Sequence, residues 1–264
     1  MSAAVQSPSV LPPPVLSPSV LPSSVLSGVV LVTGTGTGVG KTMVTAALAG
    51  AALAAGRRVC VVKPVQTGVR PGEAGDIAEV IRLLGPSAAG LVTHEFVRLP
   101  EPLAPQAAAR RAGLALPSLD DHADRIGALA EHFDLVLVEG AGGLLVRLDD
   151  AGGTLADLAG RVPLTPQTAS TGVGAVVVTG AELGTLNVTE LTVEALRHRG
   201  VPVLGLVIGR WPTNPGIAEI GNLADLPRLT GVHLLGLIPE APALPPTLLG
   251  VAEQQSIDTA SARP

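Results

Sequence analysis

Tyrosine is absent from this 264-residue sequence, tryptophan occurs once (Trp211) and phenylalanine twice (Phe96, Phe133). The aromatic platforms on which single-stranded nucleic acid stacks are therefore almost missing. A net charge of −5 with no basic run also removes the electrostatic grip on a phosphate backbone, so nucleic acid is excluded as a partner. Cysteine is as scarce. Cys60 stands alone, so neither an intrachain disulfide nor a cysteine-cluster zinc site can be built. It lies in the apolar run Arg58-Val59-Cys60-Val61-Val62 and reads as a small buried hydrophobe. The five histidines (His94, His122, His132, His198, His233) are scattered without ligand spacing. No apolar run reaches the roughly 18 residues of a membrane span, so the expectation is a soluble, cytoplasmic chain with no membrane partner.

What is present is aliphatic. Hydrophobic residues make up 47% of the chain, so a core of Ala, Val and Leu must be close-packed without aromatic bulk. Residues 1–27 stand apart: Ser-Pro-Ser-Val-Leu-Pro occurs at 7–12 and again at 17–22. Prolines there remove backbone donors and forbid helix, and the basic start of a secretion signal is missing. The expected divisions are a disordered Pro/Ser-rich tail at 1–27, an α/β domain at 28–250 and a flexible C-terminal tail at 251–264.

From Gly28 onward, short β-branched runs alternate with Ala/Leu-rich stretches. Strands are expected at 29–33, 58–63, 135–139, 175–179, 203–208 and 233–238, with a weaker one at 91–97. All are apolar on both faces, as strands inside a parallel sheet must be. Helices are expected at 41–55, 76–84, 105–112, 119–132, 154–159, 185–199 and 216–229. This alternation predicts an α/β fold: a doubly wound, mostly parallel sheet with helices on both faces. Ligands of such sheets bind at the carboxyl ends of the strands. Residues 68–75 read as a flexible loop, and 162–174, with Pro163 and Pro166, as a surface loop.

The first strand leads into Thr33-Gly34-Thr35-Gly36-Thr37-Gly38-Val39-Gly40-Lys41-Thr42 and then an Ala-rich helix. Strand, glycine loop and helix in that order make a phosphate-binding loop, the P-loop NTPase pattern. Glycines let backbone N–H groups approach phosphate oxygens, and the helix start adds its positive end. Lys41 is expected at the β- and γ-phosphates and the Thr42 hydroxyl at Mg²⁺. The first glycine, Gly34, lies one residue further from Lys41 than in the common form. A dinucleotide loop would want an acid about 20 positions on, after the second strand; Lys63 stands there instead.

Other strand ends carry matching groups. The second ends in Lys63-Pro64-Val65-Gln66-Thr67-Gly68, where the lysine either reaches a phosphate or carbamate or snorkels over the sheet edge. Asp76 opens a helix, where it can cap and also bind metal. Val136-Leu137-Val138-Glu139-Gly140-Ala141-Gly142-Gly143 puts a carboxylate after apolar residues, a position costly to bury without a cation. In a nucleotide site that cation is Mg²⁺, and Gly140, Ala141 and Gly142 would let backbone approach the γ-phosphate. In Leu183-Gly184-Thr185-Leu186-Asn187, free N–H groups suit an anion, but capping by Thr185 explains the pattern equally well.

Taken together and in order, these motifs resemble the dethiobiotin synthetases from about Val29 to about Pro239. Pro102-Leu103-Ala104-Pro105 and Asn222-Leu-Ala-Asp-Leu-Pro-Arg-Leu229 also belong to the likeness. The resemblance implies closure of a cyclic urea from 7,8-diaminononanoate, CO₂ and ATP or another nucleoside triphosphate. It implies Lys63, Lys41 and Thr37 at the reacting carbamate. Thr42, Asp76 and Glu139 would hold Mg²⁺, and Gly38, Val39, Gly40 and Met43 would join Lys41 and Thr42 on the nucleotide phosphates. Base contacts would fall at Gly209, Arg210, Pro239, Glu240 and Ala241. Thr67 would bind substrate, whose carboxylate would reach Gly184, Thr185, Leu186 and Asn187 of the partner in a homodimer. Two positions depart from the family: Gly209 stands where Asn is common, and Val188 where His is usual. The rival, a partition-type ATPase switch, carries an extra lysine early in the loop, and this loop has none before Lys41.

Overall fold

The computed structural model describes Leu21, Val25 and residues 27–163 and 172–240. Seven strands form one sheet: β1 (Gly28–Gly34), β2 (Val59–Thr67), β3 (Val92–Leu99), β4 (Leu135–Glu139), β5 (Val173–Thr179), β6 (Val203–Trp211) and β7 (Leu234–Pro239). Their order is β3-β2-β4-β1-β5-β6-β7, and every pairing is parallel. The mostly parallel sheet expected from sequence is thus parallel throughout.

Seven helices connect the strands: α1 (Lys41–Ala54), α2 (Asp76–Leu84), α3 (Pro105–Ala112), α4 (Leu119–Ala130), α5 (Leu155–Ala159), α6 (Thr185–His198) and α7 (Ile217–Thr230). Side chains alternate across β1. Val29 and Leu31 enter one core with Ile126 of α4, Leu155 of α5, Val193 of α6 and Leu226 of α7. Val30 and Val32 enter the other with Val44 and Leu48 of α1 and Val80 of α2. Burial on both faces explains why these strands read as unbroken apolar runs rather than alternating ones. Cys60 is a fully buried member of the first core, and burial pushes its thiol up to about 12.

Three features depart from expectation. β2 continues past Lys63 to Thr67; Pro64 is tolerated where β4 has stopped pairing, since that pairing ends at Val62↔Val138. The loop at 68–75 is not slack. The Arg98 guanidinium donates to Glu73 O (2.6 Å) and Arg70 O (3.2 Å), and the Arg70 N–H donates to Glu73 Oε2 (2.8 Å). Within the supposed tail, Leu21 and Val25 are buried in the α1 core, so the core takes in residues before the change of composition at Gly28. Of the expected loop at 162–174, Val162 is buried, and residues 164–171 lie outside the described residues, as does Ala241. His122 is fully buried and stacked on Phe96 at 5.8 Å. Its ring nitrogens have no partner, and burial, with Arg125 nearby, lowers its pKa to about 4. Among the described residues no helix is long and apolar enough to cross a membrane.

Candidate active site

β1 lies between β4 and β5; the chain places β2, β3 and β4 on one side of it before crossing to β5, β6 and β7 on the other. That reversal opens a crevice at the strands' carboxyl ends, and a cleft of about 820 Å³ lies there. The loop after β1 forms its floor. Thr35 N–H donates to Val178 O at 3.0 Å, fastening the loop to β5. Gly40 ends it at φ 100, a left-handed conformation open mainly to glycine. A Cβ there would also meet Gly209 O at 2.3 Å.

Lys41, the first residue of α1, is buried and folds back so that Nζ donates to Gly36 O at 2.9 Å. Burial and the nearby Lys63 charge lower its pKa to about 8. A triphosphate in the cleft would replace that single carbonyl with anionic oxygens.

Lys63, Asp76, Glu139 and Thr42 meet beside it from four elements. Lys63 Nζ lies 2.5 Å from Asp76 Oδ2 and 2.9 Å from Glu139 Oε1, and also donates to Gly140 O at 3.0 Å. Burial works to neutralise this ammonium, but Glu139 and Asp76 outweigh it and hold the pKa above the ordinary lysine value. Thr42 Oγ1 donates to the same Glu139 Oε1 at 3.0 Å. The carboxylate that was too costly to bury unpaired is therefore buried against a cation.

The donor set suits a hard divalent cation. Two carboxylates share the Lys63 ammonium that stands between them, and the Thr42 hydroxyl adjoins one of them. Oxygen-only donors of this kind suit Mg²⁺. Among the described residues no group of three or more His, Cys, Asp or Glu could chelate a metal unaided. Phosphate oxygens and water would have to complete the shell, as Mg²⁺ usually requires.

The cleft also takes in Thr37, Gly38, Met43 and Thr67, with Ala141 and Gly142 after β4 and Gly209, Arg210, Pro239 and Glu240 at the ends of β6 and β7. Gly140 contributes the carbonyl already named. Val39 lines an adjoining cavity of about 340 Å³ that shares Thr37, Gly38, Arg210 and Glu240 with the first. Gly184, Thr185, Leu186 and Asn187 line neither cavity. Gly184 is the N-cap of α6, and the buried Thr185 hydroxyl turns inward to Gly180 O at 2.9 Å instead of capping the helix. Asp76 does not cap α2 either. Gly75 holds the cap position, and the Asp76 N–H donates to Gln66 Oε1 at 2.8 Å.

Sequence reasoning gave no role to Gln66 or Thr45. Gln66 is buried at the end of β2 and holds the first turn of α2. Thr45 donates to Glu139 Oε2 at 2.8 Å. Its signal was its place three residues after Thr42, hence on the same face of α1.

A family model described as an AAA domain matches residues 29–247. The ATP-dependent dethiobiotin synthetase BioD of Streptomyces avermitilis is 55% identical over 211 residues, covering 80% of this chain and 83% of that protein. The protein of the same name from Saccharopolyspora erythraea is 53% identical over 222 residues, 84% and 92% of the two chains. This chain belongs to the dethiobiotin synthetase family. Among solved structures, the cell division ATPase MinD of Pyrococcus furiosus matches with a TM-score of 0.50 at 21% identity, covering 81% of this chain and 84% of that one. That likeness shows the shared α/β fold and nothing more about the site.

Within the dethiobiotin synthetase family this chain's Gly209 has a visible consequence. A Cβ there would lie 2.1 Å from Val39 O, so the phosphate loop and the end of β6 meet backbone to backbone. Arg210 next to it pairs with Glu240 at 3.0 Å, both side chains largely exposed.

Proposed function

We propose that this protein is an ATP-dependent cyclo-ligase that makes dethiobiotin from 7,8-diaminononanoate, CO₂ and ATP, in the cytoplasm. The observation that carries the reading is the pairing of buried Lys63 with Glu139 and Asp76 beside the phosphate loop, in a chain 55% identical to a dethiobiotin synthetase.

In this reaction one substrate amine adds to CO₂ as a carbamate. The carbamate oxygen attacks the γ-phosphorus of ATP and the bond to ADP breaks, leaving a carbamic-phosphoric anhydride. The second amine attacks its carbonyl carbon, closes the ring and expels phosphate. Two anionic reactants must approach one another, so cations placed in advance are the catalytic need, and no nucleophilic side chain is required. Lys63 takes the reacting carbamate and γ-phosphoryl oxygens, exchanging carboxylate partners for substrate ones. Lys41 leaves Gly36 O for the phosphates, and Thr37 faces the same centre from the loop. Thr67 orients the diamine. Thr42, Asp76 and Glu139 would hold Mg²⁺, which when bound would supply charge neutralisation beside the phosphates. Gly38, Val39, Gly40 and Met43 surround the phosphates, and Gly209, Arg210, Pro239 and Glu240 the base.

A homodimer completes the site in this reading, with Gly184, Thr185, Leu186 and Asn187 of one subunit receiving the carboxylate of substrate held by the other. Its support is that these four residues line neither cavity of their own chain, and that apolar side chains on and before this helix are exposed: Leu183 is 88% and Leu191 57% exposed. Incubation with ¹³C-bicarbonate, ATP and 7,8-diaminononanoate tests the activity. Mass spectrometry should find one labelled carbon in a cyclised product, and recovery of unchanged diamine would refute it.

A further inference from the structure

Glu139 is held by both oxygens, and only one of its side-chain contacts lies outside the groups assigned above. Oε1 receives Lys63 and Thr42. Oε2 receives the hydroxyl of Thr45, at 2.8 Å. Thr45 is fully buried and lines neither cavity. Its oxygen also lies 3.0 Å from Lys41 O, one helical turn back. A helical threonine bonding to the carbonyl four residues earlier is ordinary. The contact to Glu139 is not, because it joins α1 to the end of β4 across 94 positions of sequence. The hydroxyl has one proton to give, and the carboxylate, an anion at the shorter distance, is the stronger acceptor.

We infer that Thr45 is a positioning residue: its buried hydroxyl fixes Oε2 of Glu139 so that Oε1 stays turned to the cleft beside Thr42 and Lys63. Without it the carboxyl group is free to turn about its last torsion, which is soft in glutamate. Lys63 would then draw both oxygens toward itself when it exchanges partners. With it, Lys63 can move while the acid stays. The inference rests on the metal role proposed for Thr42 and Glu139. Partners that orient a metal-binding carboxylate from behind change metal affinity by about 10–100-fold when lost.

The test uses Mn²⁺ as probe, titrated into the full-length protein saturated with ADP, with free Mn²⁺ followed by electron paramagnetic resonance. Thr45→Val keeps the shape and removes the donor; it should weaken Mn²⁺ binding by about tenfold. Metal-free ADP affinity should stay within about twofold. Thr45→Ser restores the hydroxyl and should return Mn²⁺ affinity to near the wild-type value. Wild-type Mn²⁺ affinity in Thr45→Val would overturn the inference, as would a Thr45→Ser variant as weak as the valine one, since packing would then be responsible. Should Thr45→Val fail to fold, Thr45→Ala also removes the donor, and unchanged Mn²⁺ affinity there would overturn the inference equally. Diamine-dependent phosphate release by the wild-type protein tests the ligase reading separately. If that activity stands and the Mn²⁺ result fails, only the role of Thr45 is lost.

Discussion

The two ends of the cleft are built from different materials. Where β1, β2 and β4 end, charged side chains do the work: Lys63, Asp76 and Glu139 interlock over distances of 2.5–2.9 Å, and their charges act on the nearby Lys41. Where β6 and β7 end, backbone does it. Gly209 and Gly40 touch without side chains, and the one charged pair there among the described residues, Arg210 with Glu240, is exposed. The first end concentrates electrostatic energy and should respond to charge deletion and to pH. The second end is governed by shape and should respond to added volume.

Removing Lys63 breaks the charged end most directly. Lys63→Ala should lower turnover about 10²–10³-fold, the usual loss when one preorganised group facing developing charge is deleted, while nucleotide binding largely persists. Single-turnover phosphate release with bicarbonate and diamine measures it, and near-normal turnover would remove Lys63 from the mechanism. At the other end, Gly209→Ala places a methyl group 2.1 Å from a backbone oxygen, which cannot rotate away as a side chain could. The loop must move. Overpacking of this kind costs about 1–3 kcal/mol, read as a lower unfolding temperature together with a roughly tenfold loss of nucleotide affinity.

The pH response separates the ends more finely. Lys41 has its pKa lowered to about 8, so near pH 8 about half the ligand-free protein lacks that proton. A bound triphosphate favours the charged form, so nucleotide should bind with uptake of roughly half a proton at pH 8 and almost none near pH 6.5. Calorimetry in buffers of different ionisation enthalpy measures this, and affinity should weaken as pH rises past 8. For stability the sign is opposite. Between pH 8 and the ordinary lysine value the unfolded chain holds more protons here, so the penalty for burying the charge is full below pH 8 and fades above it. The smallest effect belongs to Arg210→Ala. An exposed ion pair contributes at most about 1 kcal/mol, and chemical denaturation should find no more than that. A larger loss would show that the β6–β7 end is also held by charge.

The same contrast explains how much the sequence disclosed. Lys41, Lys63 and Glu139 were legible because a charge at the end of an apolar strand is expensive without a partner, and the partner chemistry follows from the glycine loop before it. The strands were legible because burial on both faces leaves an unbroken aliphatic run, and all seven form. Thr45 was not, because a threonine inside a helix has an ordinary explanation in its own backbone; only tertiary folding brings it to Glu139. The helix starts misled for a related reason. Asp76 and Thr185 are good cap residues by type, yet a glycine holds each cap position while the side chain is drawn elsewhere, Asp76 to Lys63 and Thr185 to Gly180. The loop at 68–75 read as slack because its anchor, Arg98, lies on a different strand. Backbone contacts such as Gly40 against Gly209 leave no trace in composition, and glycine alone does not say what it makes room for.

The most direct measurement is ADP formation by the wild-type protein with ATP and Mg²⁺, in the presence and absence of 7,8-diaminononanoate and bicarbonate. Cations gathered to join two anionic reactants predict ADP only when both additions are made. Formation of ADP at the same rate without the diamine would contradict that account and mark an ATPase that turns over for another purpose.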